Sequence, residues 1–150
     1  MAYTETMNGL PNPMSQAELY ADVPTKRFFA WVIDVIVIAV LTALVTPFTF
    51  FTALFFLPVL YAILSFLYRW VTLSTGSATW GMRMVALEMR QSDGRPFTAG
   101  TAFLHTLGYV ISVVTFPLQL ISIALMLISE RKQGLTDMVL GTAAINRTAR

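Results

Sequence analysis

The chain has no cysteine, one histidine and little charge: 12% of its 150 residues are charged, about half the fraction usual in a soluble domain. Without cysteine there is no disulfide framework, no thiolate metal site and no cysteine nucleophile. The net charge of +2 is too small to point to a nucleic-acid partner. Basic residues are missing altogether before Lys26. The opening MAYTETMNGLPNPMSQAELY therefore lacks the basic start and short apolar middle of a cleaved signal peptide. It reads as a polar mobile tail over residues 1–23. Catalytic patterns are missing too. GSATWG has glycines but not the Lys-Ser/Thr of a phosphate-binding loop, and there is no zinc-protease helix motif and no Ser-His-Asp order. The expectation is a protein that is not an enzyme, with no catalytic residues, no cofactor and no metal.

What the chain has instead is apolar length, with 56% hydrophobic residues. Asp34 is the single charged residue from Phe28 to Tyr68. As one helix that stretch would be roughly 60 Å long, twice a bilayer's hydrocarbon core. It therefore divides in two. Thr46-Pro47 is the expected break, because proline lacks an N–H and disfavours helix just before itself. The first span is placed near Phe28–Val45 and the second near Phe48–Tyr68. Helices without a polar face need lipid or protein around them, and so short a chain has too little else to cover them.

A polar segment follows, from Arg69 to about Phe97. SATWGMRM predicts a helical turn begun by Ser77 or Thr79, and Asp93-Gly94 predicts a tight turn between two short strand-like runs. The third apolar stretch, about Thr98 to Ser129, is long for one span and short for two. A kinked single span leaves the C-terminus across the membrane. A hairpin or re-entrant half returns it, and the basic Arg131, Lys132, Arg147 and Arg150 favour the return. Pro58 and Pro117 are expected to kink their helices. The fold class is thus an all-α membrane protein, three apolar segments forming three to four embedded helices with a polar loop between the second and third. The N-terminus is expected in the cytoplasm.

Asp34 is the residue that asks for an explanation. A carboxylate at that depth costs about 3 kcal/mol on insertion scales. It should face other helices or water, as a proton or cation site or as a packing lock. Arg27 lies seven residues earlier on the same helical face, about 10 Å away along the axis, too far for direct contact. His105 opens the third stretch, either as a group titrating near neutral pH or as a hydrogen-bonded packing residue. Near the end, ERKQGLTDMVLGT places Asp137 between two glycines. Gly134 is expected to end a helix in the left-handed conformation, and Asp137 to cap the next turn or accept from an arginine. Glu130-Arg131-Lys132 reads as a solvated cluster at the membrane edge.

Together these pieces resemble the RDD family of small, mostly bacterial membrane proteins, named for an arginine and two aspartates. RFFAWVID is similar to the family's R-x-x-A-x-x-I/L-D through Arg27, Ala30 and Asp34. GSATWGMRMVALEMRQSDG is similar to its central stretch through Gly76, Thr79, Gly81, Arg83 and Asp93-Gly94. RKQGLTDMVLGT is similar to its end through Arg131, Gln133, Leu135, Asp137, Gly141 and Thr142. The resemblance runs from about Pro24 to Arg147, leaving residues 148–150 as a short tail. It carries the three named residues onto Arg27, Asp34 and Asp137, with Arg83, His105 and Arg131 in support. Met82 stands where the family often has lysine, and His105 about where it often has arginine.

The resemblance implies a multi-pass protein of the bacterial plasma membrane. It implies transport for some members, including cation–proton exchange, and no cofactor. Two functions are then open: a transporter or transport subunit with a responsive buried carboxylate, or a non-transporting membrane scaffold or assembly factor whose Arg and Asp residues fix helix packing. The expected partners are the lipid bilayer and a second copy or another membrane protein.

Overall fold

The computed structural model describes residues 10–11 and 13–146; the expectations for residues 1–9, 12 and 147–150 fall outside it. The order is α1 (Val23–Val45), α2 (Leu57–Gly76), α3 (Trp80–Met84), β1 (Leu87–Arg90), α4 (Ala99–Val114), α5 (Phe116–Ile128), α6 (Leu135–Leu140) and β2 (Ala143–Asn146), with short 3-10 turns at Ala17–Tyr20, Thr46–Thr49 and Thr52–Phe55. Two helices are long and apolar enough to cross a membrane: one from Ala17 to Thr49 with mean hydropathy 2.7, and Leu57–Gly76 with 1.4.

α1 breaks where Pro47 requires it. The second span, however, begins nine residues later than expected, because Thr46 to Phe56 forms two 3-10 turns instead of helix. Pro58 sits in the first turn of α2 and Pro117 in the first turn of α5. There a missing N–H costs nothing, so Pro58 does not kink α2, whereas the third apolar stretch does break just before Pro117. The connection is almost wholly apolar and exposed, with Phe48, Phe50 and Phe55 each more than 80% accessible. Its threonines bond inward: Thr46 to the Thr42 carbonyl, Thr49 to Thr46 and Thr52 to Thr49. Internal satisfaction of polar groups is what a segment beside lipid requires.

The third apolar stretch is two helices bent by 116° at Thr115. With 16 and 13 residues, α4 and α5 are about 24 and 20 Å long, each short of the roughly 30 Å core. The bend turns the chain back, so that α6 packs on α4 and lies beside the start of α1.

The molecule is not all-α. β1 pairs antiparallel with β2, Leu87 opposite Asn146 and Arg90 opposite Ala143. Asp93-Gly94 does turn, Gly94 N–H donating to the Gln91 carbonyl, but the run after it is not β1's partner. Burial explains the choice of partner. Leu87 and Met89 are fully enclosed with Val23, Ala30, Leu73, Ala78, Met82, Phe97 and Ala144, and each large apolar side chain so enclosed contributes about 1.5–3 kcal/mol. Ser77 ties this cap to α2: its hydroxyl donates to the Met89 carbonyl and accepts from Phe97 N–H at 3.0 Å. The other face of β2 packs on the chain before α1, where Leu10 and Tyr20 are buried against Ala143 and Ile145. Leu10, Leu19 and Tyr20, expected in the mobile tail, are therefore packed.

Gly134 is extended, with φ −80 and ψ −179, and starts α6. Lys132 takes the left-handed conformation in its place, and Gly141 ends α6 at φ +72. Gly141→Ala is expected to cost about 1–2 kcal/mol, the penalty of a Cβ in that conformation, read as a lowered thermal midpoint in detergent.

Candidate functional site

The two signature aspartates occupy separate sites, both reached from α1. Asp34 is buried, with 1% exposure. Its Oδ1 accepts from the Tyr68 hydroxyl of α2 at 2.6 Å and from Gly81 N–H of α3 at 2.9 Å; its Oδ2 accepts from the Thr79 hydroxyl at 2.6 Å. Thr79 is also the N-cap of α3, accepting from Met82 N–H at 3.2 Å. One hydroxyl thus starts the short helix and fastens it to α1.

Gly81 makes the contact possible. A Cβ there would overlap the Ala30 carbonyl oxygen and stand 2.8 Å from Asp34 Oδ1. Gly81→Ala must push α3 off α1, and should cost about 1–3 kcal/mol. Thermal unfolding in mild detergent checks this; an unchanged midpoint would show that α3 can shift freely.

Asp137 is the second centre, also with 1% exposure. Arg27 Nη1 donates to Oδ2 at 2.6 Å, and Gly134 N–H donates to the same oxygen at 3.1 Å. Oδ1 lies 2.8 Å from His105 Nε2 and accepts from the Thr142 hydroxyl at 2.8 Å. An ionised carboxylate only accepts, so Nε2 of His105 carries the proton in this contact. Burial by itself pushes the Asp137 carboxyl up, but the Arg27 guanidinium and His105 outweigh it and hold it well below the usual carboxylate range. Asp137 both caps α6 through Gly134 and accepts from an arginine.

The three named residues are therefore not one constellation. Arg27 belongs to Asp137, 110 residues away, and Asp34 is held by neutral donors. Of the supporting residues, only His105 joins a site. Arg83 is exposed and lies against Gly76, where a Cβ would strike its guanidinium. Arg131 is buried rather than solvated, its Nε 3.4 Å from the Pro11 carbonyl, with no contact to Asp137. Met82 is buried in the cap core in place of the family's lysine. Tyr68 is the partner that hydropathy hides: it counts as the end of an apolar span, yet its hydroxyl links α2 to Asp34 of α1 at 2.6 Å. Among the described residues no three His, Asp or Glu side chains converge as metal ligands.

Long apolar helices closed at one end by a small α/β cap, with buried Arg–Asp and Asp–hydroxyl locks, define a helical membrane-type protein. The chain matches the RDD family over residues 22–141 and belongs to it. No curated protein and no solved structure matches it significantly.

Proposed function

We propose that this protein is a membrane-embedded scaffold or assembly module, in which Arg27, Asp34 and Asp137 hold α1, α2 and α4 to the cap and the cap meets a protein partner. The observation that carries the reading is saturation. Asp34 has three donors and Asp137 four, so both carboxylates are spent on internal contacts. The hollow lined by Ala39, Thr42, Thr46 and Leu57 lies toward the far end of α1 and includes neither of them.

The cap side is the cytoplasmic side in this reading, with α4 and α5 dipping into the bilayer and returning. Lys26, Arg83, Arg90, Arg95, Arg131 and Lys132 gather at that end, whereas Thr46 to Phe56 has no charge, the asymmetry of the positive-inside rule. Single cysteines at Ser15, Thr49 and Glu130, labelled in intact cells with an impermeant thiol reagent, test it. Ser15→Cys and Glu130→Cys should label only after permeabilisation, and Thr49→Cys should not share that pattern. Labelling of Glu130→Cys from outside would overturn the return.

Transport remains a second reading, favoured by the Tyr68–Asp34–Thr79 chain of hydroxyl and carboxylate groups, which runs from the spans to the cap as a proton path would. Proteoliposomes holding the full chain separate the two. The scaffold reading expects no proton flux driven by Na⁺ or K⁺ gradients. Flux that Asp34→Asn abolishes at unchanged stability would replace it with transport.

A further inference from the structure

Arg69 is a buried charge on a membrane-spanning helix that neither lock uses. It lies on α2 seven residues before Gly76, about 10 Å inside that end of the helix, and only 7% of it is exposed. The four ion pairs of the described residues are Arg27–Asp137, Arg90–Glu88, Arg95–Asp93 and His105–Asp137; none includes Arg69. Asp34, near in sequence to nothing but on the neighbouring helix, takes its bonds from Tyr68, Thr79 and Gly81. Arg69 Nε has no partner at all. What Arg69 does have is Tyr109 of α4. Its Cζ stands 4.1 Å from the ring centroid, and Nη2 is a long 3.4 Å from the hydroxyl. A ring face offsets only part of a guanidinium's desolvation.

Among the described residues the Tyr109 hydroxyl oxygen is the acceptor Arg69 reaches, and it is shared. The Tyr109 oxygen already accepts from Trp31 Nε1 at 2.8 Å, which leaves its own proton to give. Tyr61, two turns before Arg69, lies within electrostatic reach of both and has no described acceptor for its hydroxyl. Trp31 is 45% exposed, so the cluster reaches the outer surface of the helices at α1. A buried fork of N–H donors beside two phenols, with no carboxylate, is complementary to an oxyanion.

We infer that Arg69, with Tyr109 and Trp31, forms a phosphate-binding site between α1, α2 and α4. Its occupant is the phosphodiester of an anionic lipid or free phosphate, and the bound anion is the direct counter-charge that no ion pair among the described residues provides. This inference stands whether the protein is a scaffold or a transporter.

The full chain, purified in a neutral maltoside detergent, is titrated with phosphatidylglycerol, phosphatidylcholine and inorganic phosphate, following thermal midpoint and tryptophan fluorescence. Phosphatidylglycerol should give a saturable response that phosphatidylcholine does not. A response to phosphatidylglycerol alone assigns a lipid site; a response to inorganic phosphate as well assigns a site open to water. Arg69→Gln should weaken binding by at least about tenfold, as expected for loss of a charged hydrogen-bonding partner. Arg95→Gln, an exposed arginine in the polar loop, should bind as the unaltered protein does. Should Arg69→Gln fail to fold, Tyr109→Phe keeps the ring under the guanidinium, removes the phenol and should weaken binding about fivefold to tenfold. Equal responses to the two lipids with none to phosphate, or unaltered affinity in the folded variants, would overturn the site.

Discussion

Asp137→Asn should lower the unfolding free energy by about 3–5 kcal/mol, the cost of removing one partner from a buried ion pair. The carboxylate has four donors around it and nothing else to bond. An amide in its place turns one N–H₂ toward donors, either Arg27 and Gly134 or His105 and Thr142, and leaves the partly buried Arg27 without its counter-charge. Chemical unfolding in mild detergent, followed by tryptophan fluorescence, measures the loss. Arg27→Gln should lose a similar amount, and the double variant less than the sum, because the second change removes the charge that the first stranded. Strict additivity would mean that the 2.6 Å contact contributes no coupling.

The same residue sets an acid limit. Its folded carboxyl is held below the usual range by Arg27 and His105, while the unfolded carboxyl titrates near 4. A depressed folded value means that the contribution is fully present above about pH 4 and is lost as pH falls through the folded range. The native protein should lose stability in acid more steeply than Asp137→Asn. Asp93 is also held low, first by the Arg95 backbone N–H, but it is common to both proteins and cancels in the comparison. Parallel acid profiles would show that Asp137 does not carry the effect.

Asp34→Asn should cost about 1–3 kcal/mol, the penalty for leaving buried donors unsatisfied. Oδ1 must accept from both Tyr68 and Gly81, so the amide oxygen belongs there and the N–H₂ faces Thr79. The Thr79 oxygen already accepts from Met82 N–H and would have to receive a second proton, with its own hydroxyl hydrogen left without an acceptor. The N-terminus of α3 should loosen, seen as faster amide exchange at Gly81 and Met82. Unchanged stability together with unchanged exchange would remove Asp34 from the locking role and strengthen the transport reading.

Which features were legible in advance depends on whether their cause is local. Membrane embedding was legible, because one charge between Phe28 and Tyr68 decides it whatever packs nearby. The end of α1 at Thr46-Pro47 and the helical turn begun by Thr79 follow from backbone chemistry at single residues. The family's three residues were recognisable from their spacing along the chain. Their grouping was not. A helical wheel places Arg27 and Asp34 on one face, too far apart for contact, and leaves their partners open: Arg27 reaches Asp137 while Asp34 binds Tyr68, Thr79 and Gly81. Periodicity states which way a side chain points and not what arrives there from 110 residues on.

The strands show the same division. LEMR is expected as a strand-like run beside Asp93-Gly94, but its partner AAIN is not, and the two pair because the cap core must cover Leu87 and Met89. The sequence by itself determined that the protein lies in a membrane and where α1 stops, since lipid and proline act on each segment separately. Only the tertiary structure decided which donors satisfy each carboxylate and that the third apolar stretch turns back. Those outcomes depend on distances between segments, and burial makes each unpaired charge too costly to leave alone.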